Sequence, residues 1–113
     1  MTFTLQARRA SGVPPGQYHA EFARAEHAEQ LGAAVRLVWR VLKGPYKGEE
    51  ATRICGANLT PKSTLTKFVH AIVGAAIDPG AFVDLLVYVR TRGLMEIEET
   101  ESGITRVASF AKI

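Results

Sequence analysis

The sequence predicts a mainly β domain of five strands, with one α-helix between the third strand and the fourth. The prediction starts in the middle of the chain, where residues 35–41 alternate in polarity as a strand with one buried face does. A turn rich in glycine and proline follows from Gly44 to Gly48. Further on, Thr60-Pro61 opens a stretch with helical spacing. These three observations predict a strand, a tight turn, a second strand and a capped helix, in that order.

The first strand is predicted from about Gln17 to Ala28. Tyr18, Ala20 and Phe22 alternate with other residues, which is typical of a half-buried strand. The second half is polar and rich in alanine, so residues 20–34 taken alone also fit a helix. The alternation favours the strand.

The first 16 residues are predicted to form an N-terminal arm that precedes a domain at residues 17–113. The arm holds two prolines, two glycines and little periodicity. Two arrangements fit it: order only against a partner, or an extra edge strand through Phe3 to Leu5.

The second strand has the clearest pattern. Its apolar face is predicted to carry Val35, Leu37, Trp39 and Val41, and its other face Arg36, Val38 and Arg40. Trp39 is therefore expected in the core, as are Phe22, Phe68 and Phe82. The third strand is predicted from about Glu49 to Cys55, where Gly56 ends it.

The helix is predicted to start with Thr60 as the N-cap and Pro61 at the first helical position, where a missing N–H costs nothing. Gly74 is expected to end it. An apolar stripe follows the helical period at Leu65, Phe68, Val69, Ile72 and Val73. The solvent-facing side is predicted to hold Lys62, Ser63, Thr66, Lys67 and His70.

The remaining chain predicts two more strands. A turn is expected at Asp78-Pro79-Gly80, and a short helix or helical turn within Val83 to Val89. A strand from Gly93 to Glu99, a turn, and a last strand from Ile104 to Ala111 complete the pattern.

Composition limits the class of protein. The chain has 113 residues, 47% of them hydrophobic, which fits one globular domain. Its net charge is +3, and nine of its 14 cations are arginines, which suit forked contacts to phosphate. The one cysteine, Cys55, is expected to be a buried, inert thiol in a reducing compartment such as the cytoplasm. No segment has the length or apolarity of a membrane span or a signal peptide.

Five strands with a helix between the third and the fourth is the order of an oligonucleotide-binding (OB) barrel. Several segments also match a known group of proteins: Pro15-Gly16-Gln17-Tyr18, Val35 to Val41, Gly44-Pro45-Tyr46-Lys47-Gly48, Leu59-Thr60-Pro61-Lys62-Ser63 and Glu98 to Gly103. Through them, roughly residues 13 to 113 resemble the small OB-fold proteins of phages, plasmids and bacterial genomes, close to phage-type single-stranded DNA-binding proteins. Where that group often has a glycine, just before the fourth strand, this chain has Arg90. The resemblance implies an OB fold and single-stranded DNA binding.

The sequence predicts binding of single-stranded nucleic acid, with little sequence specificity, through a basic groove with aromatic stacking. The candidate residues are Arg36, Arg40, Lys43, Tyr46, Lys47 and Arg53. Arg36 and Arg40 share a strand face and stand about 13 Å apart at about 3.3 Å per residue. Tyr46, at the hairpin tip, is expected to be the best exposed aromatic ring.

An acidic cluster supports a second hypothesis. Glu96, Glu98, Glu99 and Glu101 would repel phosphate along the fourth strand and its loop. Either that side faces away from the ligand, or the protein is an OB-type interaction module that recruits a protein partner. Unpaired sheet edges predict a homo-oligomer under either hypothesis.

An enzymatic role finds little support in the sequence. His19, His27 and His70 have no metal-ligand spacing to one another or to Cys55, and no phosphate-binding glycine loop is present. The prediction is therefore a protein without catalytic residues, metal or cofactor. Small-molecule binding in the barrel mouth is a further, weaker hypothesis, because Trp39, Phe22 and aliphatic side chains are expected to fill it.

Overall fold

The structure is a computed structural model, and it describes residues 13–29, 33–57, 63–76 and 84–113. Five strands, one α-helix and one 3-10 turn make up this part of the chain. They are β1 (Gly16–Glu29), β2 (Ala33–Val41), β3 (Glu50–Gly56), α1 (Thr64–Val73), the 3-10 turn (Leu85–Tyr88), β4 (Arg92–Glu99) and β5 (Thr105–Lys112). The predicted mainly β composition, with one helix between the third strand and the fourth, is confirmed.

The five strands form one antiparallel sheet in the order β3-β2-β1-β4-β5. The long β1 pairs with β2 and, through its first half, with β4. In the described part of the chain no backbone ladder joins β3 to β5. A side chain bridges them instead, since Arg53 Nη1 donates to Val107 O at 3.1 Å. We call this junction of β3 and β5 the seam.

A bulge divides β1 into two halves. Before it, Ala20 and Phe22 are fully buried, as the alternation predicts. The register shifts between Phe22 and Arg24. Residues after the shift therefore face the opposite side of the sheet from the one that the earlier alternation predicts. After the bulge Ala25 packs against the core, while Arg24 is exposed. The bulge explains why the second half of the strand lacks the simple alternation of the first.

The core lies between the sheet and α1, with Trp39 at its centre. Leu37, Trp39 and Val41 are buried, as predicted for one face of β2. The Trp39 ring lies 5.9 Å from that of Phe22, 5.4 Å from Phe68 and 5.8 Å from Phe110, centroid to centroid. The expected core positions of Trp39, Phe22 and Phe68 are confirmed, and Phe82 lies outside the described residues.

The helix begins later than predicted. Its N-cap is Ser63, which has an extended backbone and whose Oγ accepts from Thr66 N at 3.1 Å. Thr60 is therefore not the cap of this helix; it and Pro61 lie outside the described residues. Thr66 is buried and pairs with the Ser63 hydroxyl at 2.8 Å, so its predicted place on the solvent-facing side is wrong. A serine at this point competes with the upstream threonine because either hydroxyl can cap a helix.

The rest of the helix follows its sequence pattern. The buried stripe contains Leu65, Phe68, Val69 and Ile72. Gly74 takes the left-handed conformation at the C-cap (φ 84°), and its N–H donates to His70 O at 2.8 Å. The helix packs against β5, β3 and the 3-10 turn, and it thereby covers the inner side of the seam.

Two positions outside the strands, one before β1 and one before β4, contact the sheet or its core. Val13, in the segment predicted as an arm, is fully buried in the core. Arg90, where the resembling group has glycine, takes the left-handed conformation (φ 75°). Its N–H donates to Phe22 O at 2.7 Å, which joins the entry to β4 to the bulge of β1.

The other predictions concern local features. The 3-10 turn confirms the helical turn expected within residues 83–89, whereas Asp78-Pro79-Gly80 lies outside the described residues. Cys55 is buried, as expected, and burial raises the pKa of its thiol. No helix in the described ranges is both long and apolar enough to span a membrane.

Candidate functional site

The sheet has a charged outer face, turned away from α1, across β1, β2 and β3. Cross-strand pairing places Glu26 beside Arg36, and Arg40 between Glu21 and Glu50. Side chains of directly opposite residues point to the same side of a sheet, so these groups lie on one surface. We define the outer face by Glu21, Arg24, Glu26, Arg36, Val38, Arg40 and Glu50.

Ion pairs link the charged groups of the outer face. Arg36 Nη1 lies 3.3 Å from Glu26 Oε2. Arg40 lies 3.6 Å from Glu21 Oε1 through Nη1 and 3.5 Å from Glu50 Oε2 through Nη2. Thus each predicted binding arginine of β2 has a carboxylate beside it, at distances near the long end of the ion-pair range.

Arg24 is the most strongly paired residue of this face. Its two terminal nitrogens donate to the two oxygens of Glu50 at 2.5 and 2.9 Å, and its Nε donates to Glu26 Oε1. These hydrogen bonds lower the pKa values of both glutamates and raise the pKa of the arginine further. The sequence did not single out Arg24, because the bulge that turns it outward is not visible in the alternation of β1.

The charges of the outer face balance. Three arginines stand against three glutamates, all within one connected set of ion pairs. Over the described ranges as a whole, eleven lysines and arginines stand against ten acidic residues. The net charge of the chain therefore overstates how basic this surface is.

The turn between β2 and β3 carries the next two candidates. Lys43 and Lys47 are exposed there, and neither has an ion-pair partner within the described part of the chain. Glu49 is exposed in the same turn. The two lysines thus stand exposed beyond the end of β2, close in sequence to Arg40.

Tyr46 is half-buried rather than the exposed ring that the sequence suggested. It packs edge-on against Tyr18, with 6.1 Å between ring centroids, and contacts the core. The turn folds back on itself because Lys47 N donates to Gly44 O at 3.2 Å and Glu49 N to Tyr46 O at 3.0 Å. Part of the surface of the Tyr46 ring is therefore covered by these packing contacts.

Arg53 lies on the other side of the sheet from Arg36 and Arg40. It pairs across the strands with Leu37, a core residue, so it points inward at the seam. Its guanidinium lies 5.7 Å from the centre of the Phe68 ring, and 3.5 Å separate its Nη1 from Glu98 Oε1. The six predicted residues therefore do not form one groove: Arg36 and Arg40 lie together on the outer face, and Arg53 does not join them.

The acidic cluster lies mainly at the far end of the seam. Glu98 accepts from Arg106 Nε at 2.7 Å, and Glu99 and Glu101 are exposed. Beside them, a cleft of about 350 Å³ separates β3 from the turn between β4 and β5. Its lining residues are Thr52, Arg53, Ile54, Thr100, Ser102, Ile104, Thr105 and Arg106. In the sheet order β1 separates β4 from the outer-face arginines of β2, while across the seam Glu98 reaches Arg53 of β3.

Compared with known proteins, the chain matches no protein-family model, and no curated protein is significantly similar to it.

Proposed function

We propose that the sheet is an OB-type barrel and that it binds single-stranded nucleic acid along β2 and the β2–β3 turn. The strand order, the position of the helix between β3 and β4, and the nearness of β3 to β5 all support the barrel. The seam would then be the place where the barrel closes through side chains.

The observation that carries the binding proposal is a line of cations on one strand and its turn. Arg36 and Arg40 lie on the outer face of β2, and Lys43 and Lys47 follow where the strand ends. The two arginines stand about 13 Å apart. That spacing suits phosphates about two nucleotides apart on an extended strand.

The glutamates of the outer face set the strength of this binding. A phosphate that approaches Arg36 or Arg40 competes with Glu26, Glu21 and Glu50 for the same donors. The exposed pairs of Arg36 with Glu26 and of Arg40 with Glu50 contribute only about 0–1 kcal/mol each, so a phosphate can displace them. The affinity is expected to be modest and to fall steeply with salt.

A salt-dependent titration with a fluorescent thirty-nucleotide single strand tests the proposal. Log affinity should fall linearly with log salt, with a slope of about −0.7 for each phosphate contacted. The double variant Arg36→Gln, Arg40→Gln should flatten that slope. The matched control is Lys67→Gln, Arg106→Gln, which removes the same charge elsewhere and should keep it. No binding by folded protein at low salt, or an equal loss in the control, contradicts the proposal.

A protein-interaction module is the second candidate function, and the edges of the sheet favour it. In the described residues β3 and β5 have no backbone ladder on their seam sides, and Ile104 beside them is 51% exposed. Unpaired edges are surfaces to which another chain can add. If the oligonucleotide does not bind, this function becomes the better supported one.

Homo-oligomer formation is part of both proposals and has its own test. Light scattering at micromolar concentration should give a mass above that of the 12.3 kDa chain. A clean monomer mass rejects assembly without deciding between the two functions.

A further inference from the structure

We propose that Arg24 is a positioning residue: it holds Glu26 and Glu50 so that Arg36 and Arg40 remain available to an anionic ligand. This role rests on the proposed nucleic-acid binding, and the ligand groups concerned are backbone phosphates. Arg24 itself need not touch the nucleic acid.

The distances show an unequal division of the two carboxylates. Glu50 receives two hydrogen bonds from Arg24, at 2.5 and 2.9 Å, but a single contact of 3.5 Å from Arg40. Glu26 is likewise held by Arg24 Nε and lies 3.3 Å from Arg36. A bidentate arginine–carboxylate pair is stronger and geometrically more specific than a single long contact. Arg24 therefore takes the larger share of Glu50 through a bidentate pair, and it holds Glu26 through one hydrogen bond in competition with Arg36.

The register of the sheet explains why Arg24 can reach both partners. Arg24 stands opposite Val38, which lies midway between Arg36 and Arg40 on β2. Val38 is fully buried although it is on the outer face, and it offers no polar group. The Arg24 guanidinium is thus flanked on β2 by two arginines. The nearby carboxylates are the groups that can accept its hydrogen bonds.

Without Arg24, we expect Arg36 and Arg40 to be less available to an anionic ligand. Glu26 and Glu50 would retain Arg36 and Arg40 as their ion-pair partners on the outer face, and that face would carry an excess of one negative charge. A phosphate would then have to displace a tighter pair against a less favourable field.

A mutant cycle separates this role from direct contact. Arg24→Gln should weaken binding of the thirty-nucleotide strand roughly five- to tenfold, within the range of couplings inside one ion-pair network. In a Glu26→Gln, Glu50→Gln background, the same substitution should change affinity by less than about twofold. A loss that persists in that background, with a salt slope shallower by about 0.7, means that Arg24 binds phosphate itself and overturns the proposal.

Arg24→Lys controls for net charge. It keeps the charge but lacks the planar fork that holds two carboxylates, so affinity should still fall. Wild-type affinity in this variant shows that charge alone matters and rejects the positioning role. Circular dichroism confirms that each variant is folded. If the wild-type protein binds no oligonucleotide, the proposed function and this role fail together; if it binds and Arg24→Gln binds equally well, only this role fails.

Discussion

Two groups of arginines on the same sheet have different surroundings. On the outer face, the side chains of Arg36 and Arg40 are 39% and 46% exposed, and their polar contacts are to glutamates. At the seam, the Arg53 side chain is 14% exposed and contacts a backbone carbonyl, a carboxylate and an aromatic ring. An exposed arginine can exchange one anion for another. If Arg53 turned to bind a ligand, the buried carbonyl of Val107 would lose its donor and the seam would lose its bridging side chain. The comparison shows that whether an arginine can bind a ligand depends on the groups that it already contacts.

The difference follows from strand alternation and register. Arg36 and Arg53 are on neighbouring strands, but the position opposite Arg53 is Leu37, one residue further along β2. A shift of one residue changes the face of the sheet, so it turns a ligand-accessible arginine into a structural one.

The largest expected effect tests whether the seam is structural. Phe68 lies beneath Arg53 and against Trp39, and it is almost fully buried. Phe68→Ala should lower the free energy of unfolding by about 3–5 kcal/mol, because it leaves a cavity in the core. Lys67→Ala, at the exposed neighbouring position, should change it by less than about 0.5 kcal/mol. Denaturant unfolding measures both, and an unchanged value for Phe68→Ala contradicts a packed seam.

The next effect compares the two kinds of arginine directly. Arg53→Met should cost about 1.5–3 kcal/mol of stability, the range for a charged hydrogen bond whose buried partner is left unsatisfied. Arg40→Met, on the outer face, should cost about 0.5 kcal/mol or less. Equal losses in chemical denaturation would remove the distinction between the two groups.

Arg90 belongs to neither group, since its backbone is what matters. Its left-handed conformation costs a non-glycine residue about 1–2 kcal/mol. Arg90→Gly should relieve this strain. The net stabilisation should be only about 0.5–1 kcal/mol, because glycine loses more backbone entropy on folding than arginine does. Arg90→Ala should give no such gain. The melting temperatures of the two variants decide this, and equal values argue against strain at this position.

The smallest effect concerns pH and the outer face. Hydrogen bonds from Arg24 hold the pKa values of Glu26 and Glu50 below the ordinary glutamate value of about 4.3. The stabilisation by these ion pairs is therefore fully present when the pH lies above the pKa of glutamate in the unfolded chain. It is lost as the pH falls through the lower pKa values of the folded state. Arg24→Gln should be less stable than the wild type at pH 7, and the difference should shrink by pH 3. A difference independent of pH shows that these ion pairs do not stabilise the fold.

The sequence predicted the parts of the fold that depend on local alternation and helical period. The alternation of β2 correctly placed Leu37, Trp39 and Val41 in the core. The apolar period of α1 likewise identified Phe68 and Ile72. These patterns are reliable because burial of one face imposes them directly on the sequence.

The site was harder to predict because it depends on how strands pair. Arg24 faces outward only because of the bulge in β1, and its partner Glu50 is 26 residues away. Whether Arg53 shared a face with Arg36 depended on the register of β3 against β2, which alternation within one strand does not give. The sequence pattern favoured Thr60 as the helix cap because Pro61 follows it, whereas Ser63 is the cap in the structure, and the pattern alone does not show which hydroxyl caps the helix.

The most direct test of the contrast between the outer face and the seam is an NMR titration of the arginine side-chain Nε–Hε signals with the thirty-nucleotide single strand at low salt. The signals of Arg36 and Arg40 should shift as the strand binds, because phosphate replaces carboxylate at their guanidinium groups. The signal of Arg53 should stay in place, because its contacts hold the seam. A shift of Arg53 while Arg36 and Arg40 remain unchanged would contradict the account.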